Sequence, residues 1–326
     1  MKTTERWYCF ANQGPHRPAR RVDREEISDV LNHDTLIWID IIRPTPEDMQ
    51  WLKNNFAFHE LALEDVLSNE TRPKQELYDE VLFTVFGAIN LYPDTDELST
   101  VNLNIFLTPQ FIVTAHGEPL KSTRTVRQMV QTRPGILAKG SDYLYHHLLD
   151  GVIDRYFDVL DQIEGDIDQI EDNLFEGRNQ ALQEPIFHAK RKVSTLKRSI
   201  GPKRTALREL VNGEFPQLSP ERQLHLRDVL DHVRRIDDTL ESYRELLNSL
   251  MASYMTQISN QMNEVMKLMS IIATIMLPLS FLTGLFGMNF AKMPGLTWDF
   301  GFWALLLVMA GLVSSMLWFF RQRGIF

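Results

Sequence analysis

Residues 282–301 read LTGLFGMNFAKMPGLTWDFG. The tripeptide Gly287-Met288-Asn289 stands between two long apolar runs: Leu268 to Ala291 contains no Asp, Glu, Lys or Arg, and neither does Phe300 to Phe320. A helix rises about 1.5 Å per residue and crosses the hydrocarbon core of a bilayer in about 20 residues, so each run is long enough to span. Two such runs with only a short connection favour a pair of transmembrane helices, at 268–290 and 300–320, over buried core helices.

The flanks set the expected topology. Lys267 precedes the first run, Arg321 and Arg323 follow the second, and the connection 291–299 carries only Lys292 and Asp299. The positive-inside bias therefore predicts an outward-facing loop, with both termini and the tail 321–326 in the cytoplasm. MKTTERWYCF at the N-terminus lacks an apolar core, so a cleaved signal peptide is not expected. One cysteine, Cys9, excludes an intrachain disulfide and a cysteine-cluster zinc site. The 34 basic and 43 acidic residues give a net charge of −9, which argues against nucleic acid as a partner and suits a domain exposed to metal cations.

Before the membrane runs the character is different. Short β-branched and aromatic stretches at Thr35–Ile42, Val81–Leu91, Val101–Leu107 and Phe111–Ala115 alternate with Pro, Asp and Gly turn signals and read as strands. Thr45–Phe56, opening Thr-Pro-Glu-Asp, and Glu60–Leu67 read as helices. Residues 1–138 are therefore expected to form an α/β cytoplasmic domain. A helical hairpin is expected over 139–218. Its first arm, Asp142 to Ala181, holds eleven acidic residues against two arginines; its second, Glu184 to Leu210, holds eight basic residues against two glutamates. The turn falls at Gln183-Glu184-Pro185, and opposite charges favour the antiparallel register. Solvated faces explain such charge runs as well as a metal-related role does.

From Ser219-Pro220-Glu221 neither Pro nor Gly occurs until Pro278, which predicts one long stalk helix, 219–267, running into the first span. At helical spacing Asn263, Met266, Ser270, Ala273, Leu277, Ser280, Gly284 and Gly287 fall on one face. That mixture of small, hydroxyl and apolar residues suits either a pore lining or close helix packing. Two spans cannot enclose an aqueous path alone, so conduction requires several copies around an axis.

The segments RDVLDH (227–232), ESYRELLNSL (241–250), NEVMKLMSIIATIMLPLSFLTGLFGMNF (263–290) and MPGL (293–296) resemble the CorA superfamily of divalent-cation transporters, which carry Gly-Met-Asn after the first of two C-terminal spans. The resemblance implies an α+β cytoplasmic domain followed by long helices and two transmembrane helices, assembled as a pentameric funnel in the bacterial inner membrane. It implies an outer entrance formed by Gly287, Met288 and Asn289, where a ring of Asn289 amide oxygens receives a hydrated cation. Met266 and Met269 match a hydrophobic gate, and Leu277, Ser280 and Gly284 match further lining positions. Asp228 matches a carboxylate that holds regulatory divalent ions between subunits, with Asp94, Asp96 or Glu97 as its expected partner. A left-handed helix cap at Gly287 or Asn289 is compatible with these roles.

The outer loop departs from magnesium-importing members, which carry Glu after Met-Asn-Phe and in Met-Pro-Glu-Leu, where this chain has Ala291-Lys292 and Gly295. A ring of Lys292 in place of acidic rings weakens cation concentration at the mouth. That shift points toward the ZntB-like branch and zinc uptake, ahead of magnesium, cobalt or nickel, although the lining candidates contain no Cys or His to strip a zinc ion of water. A non-conducting membrane metal sensor is the remaining alternative. No phosphate loop, nucleophile elbow or metal-spaced histidine set indicates an enzyme, and the adjacent His146 and His147 are expected to point apart on a helix.

Overall fold

The structure, a computed structural model, describes residues 6–31, 35–68, 72–92, 96–176, 181–288 and 298–324. The first of two compact units, Met1–Met251, is built on a seven-stranded sheet. In chain order its elements are β1 (Trp7–Ala11), β2 (Arg20–Val22), α1 (Ile27–Leu31), β3 (Ile37–Ile42), α2 (Pro46–Phe56), α3 (Glu60–Leu67), β4 (Lys74–Tyr78), β5 (Val81–Tyr92), β6 (Glu97–Leu107), β7 (Phe111–His116), α4 (Lys121–Thr132), α5 (Ser141–Phe175), α6 (Gln183–Asn212) and the first part of α7 (Pro220–Phe286). The sheet order is β2-β1-β3-β7-β6-β5-β4, and only β3 and β7 pair in parallel. The strands β1, β2 and β4 and the helices α1 and α4 are additions to the sequence reading.

Helices cover both faces of the sheet, which is why β3 and most of β5 are buried without alternation. On one face Ile39, Phe83, Val85, Phe106 and Val113 pack with Met49, Leu52, Phe58 and Leu63 of α2, α3 and their connection. Thr45 opens α2 with a full capping box to Asp48, and Ala57 ends it in the left-handed conformation. On the other face Tyr145 of α5 hydrogen-bonds Thr84 of β5 at 2.8 Å. Beneath α4 lies a buried polar cluster. The Asp40 carboxylate accepts from Thr114 Oγ1 at 2.6 Å and from the Arg127 guanidinium, and lies 3.1 Å from His116 Nε2. Burial by itself pushes the Asp40 carboxyl up, but His116 and Arg127 hold it below the usual carboxylate range.

Two expectations change here. Gln183-Glu184-Pro185 is not the turn of the hairpin: Gln183 begins α6 and Pro185 sits in its first turn, where a proline costs no backbone hydrogen bond. The basic face of α6 also serves α7 more than α5. Lys197 pairs with Asp237 (2.8 Å) and Glu241 (3.2 Å), and Arg204 with Asp237 (3.1 Å), whereas Lys192 reaches Asp166 of α5 at 2.9 Å.

The second unit, Ala252–Phe326, holds the remainder of α7 and α8 (Gly301–Gln322). Both helices are long and apolar enough to cross a membrane, and almost none of either apolar window is buried. A core helix of a soluble domain would be covered. Pro278 lies inside α7, where it removes the backbone bond that the Thr274 carbonyl would have accepted.

Candidate functional site

The lining candidates Asn263, Met266, Met269, Ser270, Ala273, Leu277, Ser280 and Gly284 all lie on α7 and are exposed in the single chain, Met266 at 61% and Leu277 at 73%. At 100° per residue they occupy a stripe roughly 120° wide, with Met269 at its edge. Their order is a seven-residue repeat, 263-270-277-284 interleaved with 266-273-280-287, which is the spacing that keeps one seam of a helix facing an axis or a neighbour. Ser270 Oγ donates to the Met266 carbonyl (2.8 Å) and Thr274 Oγ1 to the Ser270 carbonyl (2.7 Å), so these hydroxyls keep a partner in an apolar surrounding.

α7 ends at Phe286, and Gly287 N–H donates back to the Thr283 carbonyl at 2.9 Å. Of the two positions where a left-handed cap is compatible with the entrance role, Asn289 lies outside the described residues and Gly287 does not adopt it. Its glycine identity answers a close approach instead, since a Cβ there would come within 2.9 Å of the Thr283 carbonyl oxygen. Met288 is exposed; Asn289, Lys292 and Gly295 lie outside the described residues.

In the first unit the acidic candidates separate. Asp96 sits at a positive φ of 53° before β6, where Lys192 Nζ approaches to 2.5 Å and His188 Nδ1 to 3.8 Å; it faces α6. Glu97 opens β6 and is exposed, and Asp94 lies outside the described residues. Among the described residues, neither Asp96 nor Glu97 pairs with Asp228 within one chain. The electrostatic neighbours of Asp228 are His146 and Asp150 of α5.

That side of α5 carries a group the sequence reading missed. Asp150, Asp154 and His232 bring their ligand atoms within 4.8 Å of one another, and Asp228 lies one turn before His232 on α7. Burial raises both carboxyls, reinforced for Asp154 by Asp150 and for Asp150 by Asp228, while His232 lowers them. His232 Nδ1 is buried and has no hydrogen-bond partner. Two carboxylates crowded with an imidazole whose ring nitrogen is orphaned could hold a small divalent cation, with oxygen ligands for a hard ion and nitrogen for a borderline one. The signal was the i, i+4 pair Asp150/Asp154 opposite Asp228/His232 at the same spacing, submerged in a longer acidic run. Nearby, burial and the adjacent His225 press His146 down to about 4, and burial with His146 presses His147 to about 4. The two rings lie 5.2 Å apart, so they do not diverge as expected.

Residues 33–322 match the family described as CorA-like Mg2+ transporter protein. The chain is 32% identical over 309 residues to the putative metal ion transporter YfjQ of Bacillus subtilis, covering 95% of this chain and 93% of that one. It is 31% identical to the cobalt/magnesium transport protein CorA of Thermotoga maritima, over 94% and 88% of the two chains. The complete structure of the CorA magnesium transporter from Methanocaldococcus jannaschii superposes with a TM-score of 0.86 over 99% of both chains at 22% identity, a likeness of fold. By sequence match over most of its length, the chain belongs to the CorA family of divalent metal ion transporters.

Proposed function

We propose that five copies of the chain surround an axis in the bacterial inner membrane and conduct a hydrated divalent cation inward, with both termini cytoplasmic. The observation that carries this reading is the seven-residue stripe on α7, exposed throughout and ending at Gly287-Met288-Asn289. Five copies of that stripe supply small and hydroxyl groups at Ser270, Ala273, Ser280 and Gly284, narrowed by Met266, Met269 and Leu277, where an apolar constriction closes by dewetting. Asn289 places amide oxygens at the outer mouth. Mg²⁺ and ions like it give up water reluctantly, so neutral dipoles that bond to the hydration shell select them without a dehydrated cage. The absence of Cys and His from the stripe favours magnesium and cobalt, the ions in the names of relatives, as first cargo. Zinc is the second reading, favoured by Lys292 and Gly295 in place of loop glutamates.

The loop can be tested directly. A ring of Lys292 repels cations over a screening length of roughly 8–10 Å at physiological salt. Lys292→Glu is expected to raise divalent uptake several-fold at low ionic strength and to matter little at high salt. Equal uptake in the two proteins at low salt would remove the loop from the cation's path and with it the argument for zinc.

Asp150, Asp154, Asp228 and His232 form the regulatory cation site of this reading. A bound ion stabilises the state that holds it in proportion to its differential affinity. Divalent cations are therefore expected to protect the full-length protein from protease, and His232→Ala and Asp228→Ala to shift the protecting concentration upward by about 10-fold or more. Protection curves that coincide with wild type would reduce the group to surface carboxylates. A non-conducting sensor would keep this site and lose the flux, so flux separates the two.

A further inference from the structure

Lys203, in α6, is 1% exposed. Its ammonium donates to the Ser199 carbonyl at 2.8 Å and to Ser199 Oγ at 2.7 Å, and it lies 5.2 Å from the Tyr156 ring centre. No carboxylate reaches it among the described residues. The other lysines of this helix with ion pairs are treated differently: Lys192 is held between Asp96 and Asp166, and Lys197 between Asp237 and Glu241. An ammonium has three donors, and Ser199 uses two of them.

A cavity of about 310 Å³ opens beside Lys203, between α6 and the β5–β6 ladder. Arg72 and Arg198 stand on its rim, both exposed; Thr100 and Thr195 add hydroxyls, and among the described residues neither arginine pairs with a carboxylate and no acidic residue lines the cavity. Gly87 forms its floor. A Cβ on Gly87 would stand 3.1 Å from Thr100 Cγ2 and 3.3 Å from Lys203 Nζ, so the bare backbone preserves the space next to the ammonium. Three cations around one cavity without a counter-charge among the described residues are unusual in a chain of net charge −9.

We propose that this cavity binds a phosphate group, whose oxygens take the remaining Lys203 donor and the Arg72 and Arg198 guanidiniums. Guanidinium forks and an ammonium match a tetrahedral oxyanion, and an anion removes the cost of burying a cation alone. The volume accommodates a phosphate with a short organic substituent, so the source is either free phosphate or the phosphate tail of a nucleotide. The site is independent of the transport reading.

The proposal makes a proton-linked prediction. Burial without a counter-charge brings Lys203 down to about 7. A lysine depressed in the folded state binds fewer protons than the unfolded chain between pH 7 and its ordinary value, so the anion-free protein gains stability from this group as pH rises from about 7 to about 10.5. Anion binding restores the proton, so at pH 8 each binding event takes up close to one proton.

The experiment is calorimetry on the full chain in detergent with chelator, at pH 8, adding inorganic phosphate or ATP against chloride at equal ionic strength. Wild type is expected to melt higher with phosphate or ATP and to take up a proton, read in two buffers of different ionisation heat. Lys203→Met should lose both responses while melting no lower than wild type in chloride, because it removes an uncompensated buried charge. Arg198→Gln, on the exposed rim, should weaken binding about tenfold, as should Gly87→Ala, which fills the cradle. Tighter binding of ATP identifies a nucleotide, and equal binding identifies free phosphate. No response of wild type to either anion, or the same response in Lys203→Met, overturns the proposal. Should Lys203→Met fail to fold, unchanged affinity in both Arg198→Gln and Gly87→Ala overturns it equally.

Discussion

Asn289→Ala is expected to bring divalent-cation flux in reconstituted vesicles down by roughly 100-fold, toward the level of protein-free vesicles, with the oligomer intact. Each amide bonded to the ion's water shell contributes about 0.5–1.5 kcal/mol net, so the five of the proposed pentamer contribute at least about 2.5 kcal/mol together, and 1.4 kcal/mol is a factor of ten. Alanine keeps the apolar run of the sequence unbroken and removes only the oxygen dipoles. Asn289→Asp is the informative companion. It keeps an acceptor and adds charge, so it should retain flux while altering the ranking of ions. Wild-type flux in Asn289→Ala, measured with a divalent-sensitive dye and with assembly checked by size, would remove the residue from the entrance.

The second large effect is on stability. Asp40→Ala leaves the Arg127 guanidinium, 9% exposed, without its carboxylate, and strips His116 and Thr114 of a shared acceptor. Removing one partner of a buried ion pair costs about 3–5 kcal/mol, since the other charge stays buried and uncompensated. For a unit of this size each kcal/mol lowers the melting temperature by about 2–4 °C, which predicts a fall of roughly 10 °C in thermal denaturation followed by circular dichroism. The sign of the pH dependence follows from the lowered Asp40 carboxyl. Its contribution is fully present above the ordinary carboxylate value and is lost as pH falls through the depressed one. A melting temperature within about 2 °C of wild type would show that α4 is held to the sheet by its apolar residues alone.

What could be read from the residues divides along physical lines. β3, β5, β6 and β7 carry runs of β-branched and aromatic residues because helices cover both their faces, and such runs are legible without partners. β2 is three residues long and β4 is polar and half-buried at the sheet edge, so neither contains a pattern to read. α4 is strongly two-faced, but its buried face mixes Val126 and Val130 with Ser122, Thr123 and Arg127, of which Thr123 reaches His116 and Arg127 reaches Asp40 beneath the helix. Caps told more than composition at Thr45 and at Ser219-Pro220, where the chemistry is local. Pro185 misled, since proline marks a first helical turn as readily as a loop.

The same division holds for the candidate sites. The α7 stripe is a one-dimensional pattern on a single helix and could be read from spacing. The group Asp150, Asp154 and His232 needs two helices in register, which no single-helix spacing fixes, and Asp228 acquires its neighbours only from that packing. Asp96 is one of the partners expected for Asp228, yet Lys192, almost a hundred residues later in the chain, engages it. Lys203 was one of eight basic residues in a run that reads as a solvated face, and its burial is a tertiary fact.

Uptake of Mg²⁺, Co²⁺ and Zn²⁺ into liposomes holding the purified full-length protein, with and without a pH gradient, decides whether the chain conducts. The account predicts saturable uptake of Mg²⁺ and Co²⁺ that mutually compete and that fails in Asn289→Ala. Uptake no faster than in protein-free liposomes, from a protein whose Asp150, Asp154 and His232 group still responds to divalent cations, would contradict it and leave a membrane-anchored metal sensor instead.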